Sequence, residues 1–438
     1  MAHKTQKKAG SGHFTHITSL GGIHEYELKK NGLRVLFLRK PGTQAVVSNI
    51  VYLVGSRHET RGKTGIAHML EHMLFKDTVD KEGNRSPKPR HISLQNKGAL
   101  LNASTWLDRT NYYFVMPPEY LDEMLSAEAE RMRGLILVQR GYLPEQQNVI
   151  SEFEMYASRP DYVLESALNT HAFVSHGYGH DTIGFKSDIE SLTCEDLRAF
   201  YDTYYWPNNA YLILVGDVEQ DYALSLVAEH FSHITRSPHQ IPQTTTEEPP
   251  RTGSQTLTIL KNSPLTLTSL CYPTPRASDP SWPALHILIS YLTSGKLSPL
   301  YRKLVETHKV SSVGASYMPL HDPGTLIIQA SVSQNIKPKE IHNCIFSEIA
   351  HIGMNGISKK DLARVQEKLI ADILYAKDGT YTVAQGLVEY VAAGNWKLYV
   401  EIAQQLRTVT LSEVQECARR WLQKETVLIG TLGKENAV

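Results

Sequence analysis

Two short apolar runs constrain most strongly what this chain can fold into. Ala210-Tyr-Leu-Ile-Leu-Val-Gly-Asp and Val427-Leu-Ile-Gly-Thr-Leu both read as buried strands, each closing a long series of strands and helices. Between them lies Arg236–Gln255, rich in Pro, Thr, Ser and Gln, with Thr244-Thr-Thr-Glu-Glu-Pro-Pro at its centre. That stretch cannot furnish core side chains and reads as a linker. At 438 residues the chain exceeds one ordinary domain. The similar order of elements on the two sides predicts an α+β fold of two homologous domains, each a mostly antiparallel sheet flanked by helices. The expected divisions are a flexible lead-in over 1–22, a first domain over 23–235, a linker over 236–255 and a second domain over 256–438. No close sequence repeat is visible, so duplication rests on the pattern alone.

Within the first half, Glu25-Tyr-Glu-Leu-Lys and Leu33-Arg-Val-Leu-Phe-Leu flank Asn31-Gly32, a hairpin pattern. Ala45–Val54 is a further strand, 55–60 a loop, and a helix starts near Thr64. Residues 77–93, with Pro87 and Pro89, read as a hydrophilic surface insertion. Ala99–Thr105 and Asn111–Met116 read as two strands, and helices are expected over 120–140, 144–158, 164–173, 194–205 and 219–231. In the second half the pattern predicts strands over 255–260, 265–272 and 325–331. Helices are predicted over 282–292, 299–305, 337–353, 358–376, 379–393 and 411–423.

Lys+Arg and Asp+Glu number 45 each, a balance that argues against a nucleic-acid partner. Cys194, Cys271, Cys344 and Cys417 are far apart, so neither a disulfide framework nor a thiolate zinc site is expected. No apolar run approaches the length that spans a bilayer, and the polar, basic Met1–Gly12 lacks the apolar stretch of a secretory signal. The expected location is the cytoplasm, with no membrane partner.

Chemistry is concentrated in Gly65-Ile-Ala-His-Met-Leu-Glu-His-Met-Leu-Phe. His68 and His72, four apart on a helix, share one face and can reach one metal ion. Glu71 lies between them, near enough to that face to touch a metal-bound water. The order His-x-x-Glu-His inverts the commoner His-Glu-x-x-His. A hydrolytic zinc site needs a third protein ligand and an open position. Glu145 and Glu152, seven apart on a later helix, offer carboxylates two turns along one face. Glu152 could complete the site while Glu145 orients a ligand from behind. Glu154, the rival ligand, is about 200° round the helix from Glu152.

Gly65–Thr78 resembles the zinc helix of the pitrilysin, or insulinase-type, metallopeptidases (inverzincins), a family that includes bacterial single-half members and the mitochondrial processing peptidase β-subunit. Asn102-Ala-Ser-Thr-Trp-Leu-Asp-Arg-Thr-Asn-Tyr-Tyr is similar to the family's Asn-Ala-x-Thr-x-x-Asp-x-Thr-x-Tyr strand, Glu145-x6-Glu152 to its acidic pair, and Trp206–Asp217 to the close of its first domain. The resemblance implies one Zn2+ per chain, held by His68, His72 and Glu152, with Glu145 behind them. It implies a metalloendopeptidase in which Glu71 is the general base for a zinc-activated water. Asn102, Ala103, Ser104 and Thr105 would bind an extended peptide by strand addition.

The family completes its centre with an arginine and, seven residues later, a tyrosine from a C-terminal domain. In Leu300-Tyr-Arg-Lys-Leu-Val-Glu-Thr-His-Lys-Val-Ser-Ser those places fall on Val305 and Ser312. Tyr301, Arg302 and Tyr317 are near but wrongly spaced. The expectation is therefore a heterodimer in which a homologous subunit supplies the Arg/Tyr pair. The alternatives are a non-catalytic structural subunit of the same fold and a self-sufficient homodimeric peptidase.

Overall fold

A computed structural model describes residues 11–76, 78–79 and 90–434. Most of the 77–93 insertion and the first ten residues of the lead-in lie outside the described residues. The strands of the first half are β1 (Phe14–Leu20), β2 (Ile23–Leu28), β3 (Arg34–Arg39), β4 (Val46–Tyr52), β5 (Leu100–Thr105), β6 (Thr110–Met116) and β7 (Ala210–Gly216). Its helices are α1 (Ile66–Met73), α2 (Arg90–Asn96), α3 (Leu121–Arg133), α4 (Gln139–Ser158), α5 (Pro160–Ala172), α6 (Lys186–Ser191), α7 (Cys194–Tyr204) and α8 (Gln220–Phe231). The second half adds β8 (Gln255–Leu260), β9 (Thr266–Pro273), β10 (Val310–Ser316), β11 (Thr325–Val332) and β12 (Leu428–Gly433). Its helices are α9 (Trp282–Thr293), α10 (Pro338–Asn355), α11 (Lys359–Ala376), α12 (Thr380–Ala392), α13 (Lys397–Thr408) and α14 (Leu411–Trp421).

The strands form two sheets, ordered β1-β2-β3-β7-β4-β6-β5 and β10-β11-β9-β12-β8. Neighbours are antiparallel except β3/β7 and β8/β12. Read from β3 onward, the first sheet matches the second strand for strand, with its parallel pair in the same place. Topology thus carries the kinship that the residues do not.

The chain forms two compact units. One comprises Met1–Ser151, Thr182–Thr245 and Ala376–Ala392, and the other Glu152–Asp181, Thr246–Tyr375 and Ala393–Val438. A single cut at the linker, as the composition suggested, does not describe this division. Helix α12, late in the chain, packs on β4 and β7 of the first sheet, and α5, early in the chain, packs on β9, β11 and β12 of the second. Apolar side chains drive both placements. Val383, Ala384, Leu387, Val388 and Val391 are buried on α12, and Leu164 and Leu168 on α5. Each helix finds its sheet across a long loop, which costs little extra entropy per added residue.

Several details correct the sequence reading. Residues 14–20 of the supposed flexible lead-in form a strand paired with β2, joined through Gly21-Gly22, both at positive φ as a two-residue hairpin turn needs. The single helix expected over 120–140 ends at Arg133, and α4 starts at Gln139 with Pro144 inside it. Strand β10 was not foreseen, because Val-Ser-Ser-Val-Gly-Ala-Ser carries little apolar alternation; it is an edge strand and needs little. Helix α13 was also missed. The linker is tied down as well as polar: the Glu248 carboxylate accepts from the backbone N–H groups of Val174, Ser175 and His176 at 2.8–2.9 Å.

Candidate metal centre

Helix α1 is short and its start is set by backbone geometry. Gly65 has φ +83°, and a Cβ there would lie 2.4 Å from the carbonyl oxygen of Ile183. Only glycine fits. The first N–H groups of the helix have no intrahelical partner. The Glu59 carboxylate, from the preceding loop, accepts from Gly65 and Ala67 at 2.8 Å each, so a negative group sits at the positive helix end. At the other end, Arg131 Nε donates to the carbonyl of Leu74 at 3.3 Å. The Arg131 guanidinium also lies over the rings of Phe75, Tyr112 and Phe114, 4.7–5.5 Å from their centroids.

Ile66, Met69, Leu70 and Met73 are buried, which turns His68 and His72 away from the core. Their rings meet edge to face, 4.8 Å apart. Helix α4 is pinned by Tyr142, whose hydroxyl donates to the carbonyl of Leu192 at 2.6 Å, and by Gln146, whose amide donates to that of Ile189 at 2.9 Å. The segment from Ile183 to Leu192 thus fixes both helices, against Gly65 on one side and Gln146 on the other. No motif marked it.

With the helices so held, one ligand atom from each of His68, His72 and Glu152 lies within 4.8 Å of the other two. Among the described residues this is the one group of three His, Cys, Asp or Glu side chains able to hold a metal ion. Glu154 on the same helix is outside it. Two imidazoles and a carboxylate are a hydrolytic zinc set, and the three side chains are half-buried. Tetrahedral bonds of about 2.1 Å put ligand atoms roughly 3.4 Å apart, so small side-chain closure suffices.

Glu145 lies behind the group. Its Oε2 accepts from His72 Nδ1 at 3.2 Å and its Oε1 from Lys76 Nζ at 2.5 Å, with Asn148 adding a third bond at 3.2 Å. Burial opposes its charge, but Lys76, His72 and Asn148 outweigh that and hold its carboxyl below the usual range. With Nδ1 engaged, His72 keeps Nε2 for a metal. Lys76 was not anticipated, although it lies just beyond the C-terminal end of α1.

Glu71 is buried, and Thr105 Oγ1 donates to its Oε2 at 2.5 Å. Among the described residues, β5 is the edge of its sheet. The register pairs Leu101, Ala103 and Thr105 with Phe114, Tyr112 and Thr110, so these side chains face α1, while Asn102 and Ser104 face the opposite side. Asn102 Oδ1 accepts from the N–H of Ala103 at 2.9 Å, which shows that this N–H points away from β6 to the open edge. The four residues read as a peptide-binding strand therefore share a backbone edge but not a side-chain face. Among them, Thr105 reaches Glu71.

Val305 lies in a π-helical turn over Tyr301–Val305, and Ser312 is exposed on β10, its hydroxyl donating to that of Ser331 at 3.2 Å. Tyr317 is bonded to His286 Nδ1 at 2.8 Å.

Comparison with known proteins bears on this arrangement. A family profile described as Insulinase (Peptidase family M16) matches residues 34–185, and one described as Peptidase M16 inactive domain matches residues 191–369. The chain is 29% identical over 413 residues to a Helicobacter pylori protein named Zinc protease PqqE, covering 93% of this chain and 92% of that one. It is 22% identical to an Arabidopsis thaliana protein named as a probable mitochondrial-processing peptidase subunit beta, covering 92% of this chain and 77% of the relative. A solved structure described as a protease from Helicobacter pylori superposes with a TM-score of 0.89 at 28% identity, over 94% of this chain and 99% of that one.

Proposed function

Because this chain belongs to the insulinase, or M16, family of peptidases, we propose that it is a zinc metalloendopeptidase subunit acting on peptides or unfolded segments. The observation that carries the reading is the convergence of His68, His72 and Glu152 beside Glu71. A zinc ion held by those three side chains would supply the Lewis acidity that makes water a nucleophile near neutral pH. Glu71 takes the proton from the attacking water and returns it to the leaving amine. Thr105 fixes the carboxylate of Glu71 in place through the 2.5 Å bond. Glu145 orients His72, and Lys76 keeps Glu145 charged. The open edge of β5 presents backbone groups such as the N–H of Ala103 to an extended chain.

Val305 and Ser312 stand where the family's arginine and tyrosine are expected, and neither can stabilise an oxyanion as that pair does. This supports a composite enzyme in which a homologous subunit supplies the pair. The relative named as a subunit beta points the same way.

The test is zinc content and cleavage of an unfolded protein such as β-casein, by the chain alone and with candidate homologous subunits. The expected result is one zinc per chain, weak cleavage alone, strong cleavage with the partner, and none for Glu71→Gln. Full-rate cleavage by the isolated chain would falsify the need for a partner. A chain that takes up no zinc would remove the peptidase reading and leave a structural subunit.

A further inference from the structure

Arg109 sits in the turn between β5 and β6 with only 7% of its surface exposed. Its Nη1 donates to the carbonyl and the hydroxyl of Ser104, both at 3.0 Å, and to Asn111 Oδ1 at 2.8 Å. Its Nη2 donates to Glu389 on α12 at 2.5 Å. Asn111 in turn donates to Asn49 Oδ1 at 3.0 Å. One guanidinium thus ties the end of β5 to β6, through Asn111 to β4, and to a helix 280 positions further along the chain. The planar fork of arginine suits these divergent acceptors, as a lysine ammonium would not.

Among the described residues β5 is flanked by β6 alone, and an edge strand held on one side frays at its ends. The end held by Arg109 is the one that matters, because the next residue, Thr105, bonds Glu71. Whatever fixes Ser104 fixes the open edge relative to Glu71. On α12, Glu389 is not alone: the Tyr381 hydroxyl donates to that of Tyr113 at 3.2 Å, and Lys40 donates to the carbonyl of Lys377 at 2.8 Å just before the helix.

We propose that Arg109 and Glu389 are a positioning pair that sets the β5 edge for binding an extended peptide, so that docking of α12 governs substrate affinity. This deepens, and rests on, the peptidase reading. Neither residue touches the substrate's reacting atoms.

The test uses zinc-loaded Glu71→Gln protein and fluorescein-labelled β-casein as the probe, with hydrogen exchange read on the same samples. Arg109→Met and Glu389→Gln, each added to Glu71→Gln, should raise the Kd about tenfold, a ratio worth about 1.4 kcal/mol. The double change should be no worse than either single one, because the pair acts as a unit. Arg109→Lys should recover only part. Amides of 100–105 should exchange faster, while those of β1–β3 and the zinc content stay as they were. Should Arg109→Met fail to fold, the near-isosteric Glu389→Gln at a partly exposed site carries the test. Unchanged Kd and exchange, multiplicative effects, or loss of affinity only in step with zinc and global stability would each overturn the pairing. If Glu71→Gln itself does not bind casein, the peptide-binding reading fails, and this inference with it.

Discussion

Replacing Glu145 by glutamine isolates the support behind the donor cluster. The amide keeps the shape of the carboxylate and an oxygen for His72 Nδ1, now 3.2 Å from Oε2, but it removes the charge. Lys76, now 2.5 Å from Oε1, is left facing a neutral group. A carboxylate behind a ligating histidine raises the basicity of the ring and fixes its orientation. Losing such a partner costs about 10–100-fold in metal affinity, or about 1.4–2.7 kcal/mol. Zinc competition against a chromophoric chelator at pH 7.5 measures this directly. Affinity should fall in the order parent, Lys76→Met, Glu145→Gln, Glu152→Gln, since the last removes a ligand outright. The reasoning is refuted if Glu145→Gln holds zinc within twofold of the parent. It is refuted equally if Glu145→Gln is as impaired as Glu152→Gln.

Thr105→Val keeps the shape but removes the hydroxyl that meets Glu71; kcat should drop by roughly tenfold with zinc content unchanged, and Thr105→Ser should restore it. In urea denaturation, Gly65→Ala should cost at least about 2 kcal/mol, because a left-handed backbone is unfavourable for alanine and the added Cβ meets the Ile183 carbonyl. A loss below about 1 kcal/mol would contradict that geometry. Burial, then Lys368, lowers the pKa of His286 to about 4. The unfolded ring binds its proton near pH 6.5 while the folded one stays neutral, so this histidine's contribution is present above pH 6.5 and is lost as pH falls towards 4. The amount is up to about 3 kcal/mol. His286→Gln should flatten the acid limb of a stability-against-pH curve, and an unchanged limb would show that the ring titrates normally.

Much of the fold and of the site was legible because the signals are local. The four-residue spacing of His68 and His72 places both on one helix face whatever surrounds it, and the seven-residue spacing of Glu145 and Glu152 does the same on α4. The closing strands β7 and β12 are read from apolar runs. The Gly21-Gly22 turn is a local signal too, but the strand before it is mostly exposed and carries no burial pattern to mark it. Strand β10 escaped for the converse reason, since an edge strand of small polar residues carries no burial pattern.

Tertiary structure alone decided the rest. Which sheet receives α5 or α12 depends on a match between two surfaces far apart in the chain, and no local spacing encodes it. The closeness of Glu152 to His68 and His72 depends on the 183–192 segment, whose backbone touches Gly65 and accepts from Gln146. Lys76, Arg109 and Glu389 look like ordinary surface charges in the sequence, and packing made them partners of buried groups. The sequence by itself determined which side chains carry metal-ligating and proton-accepting groups on a shared helix face, because side-chain chemistry and helical periodicity are local properties. The tertiary fold decided which of them meet and what holds them there, because a distance across the chain is set by the packing of whole elements.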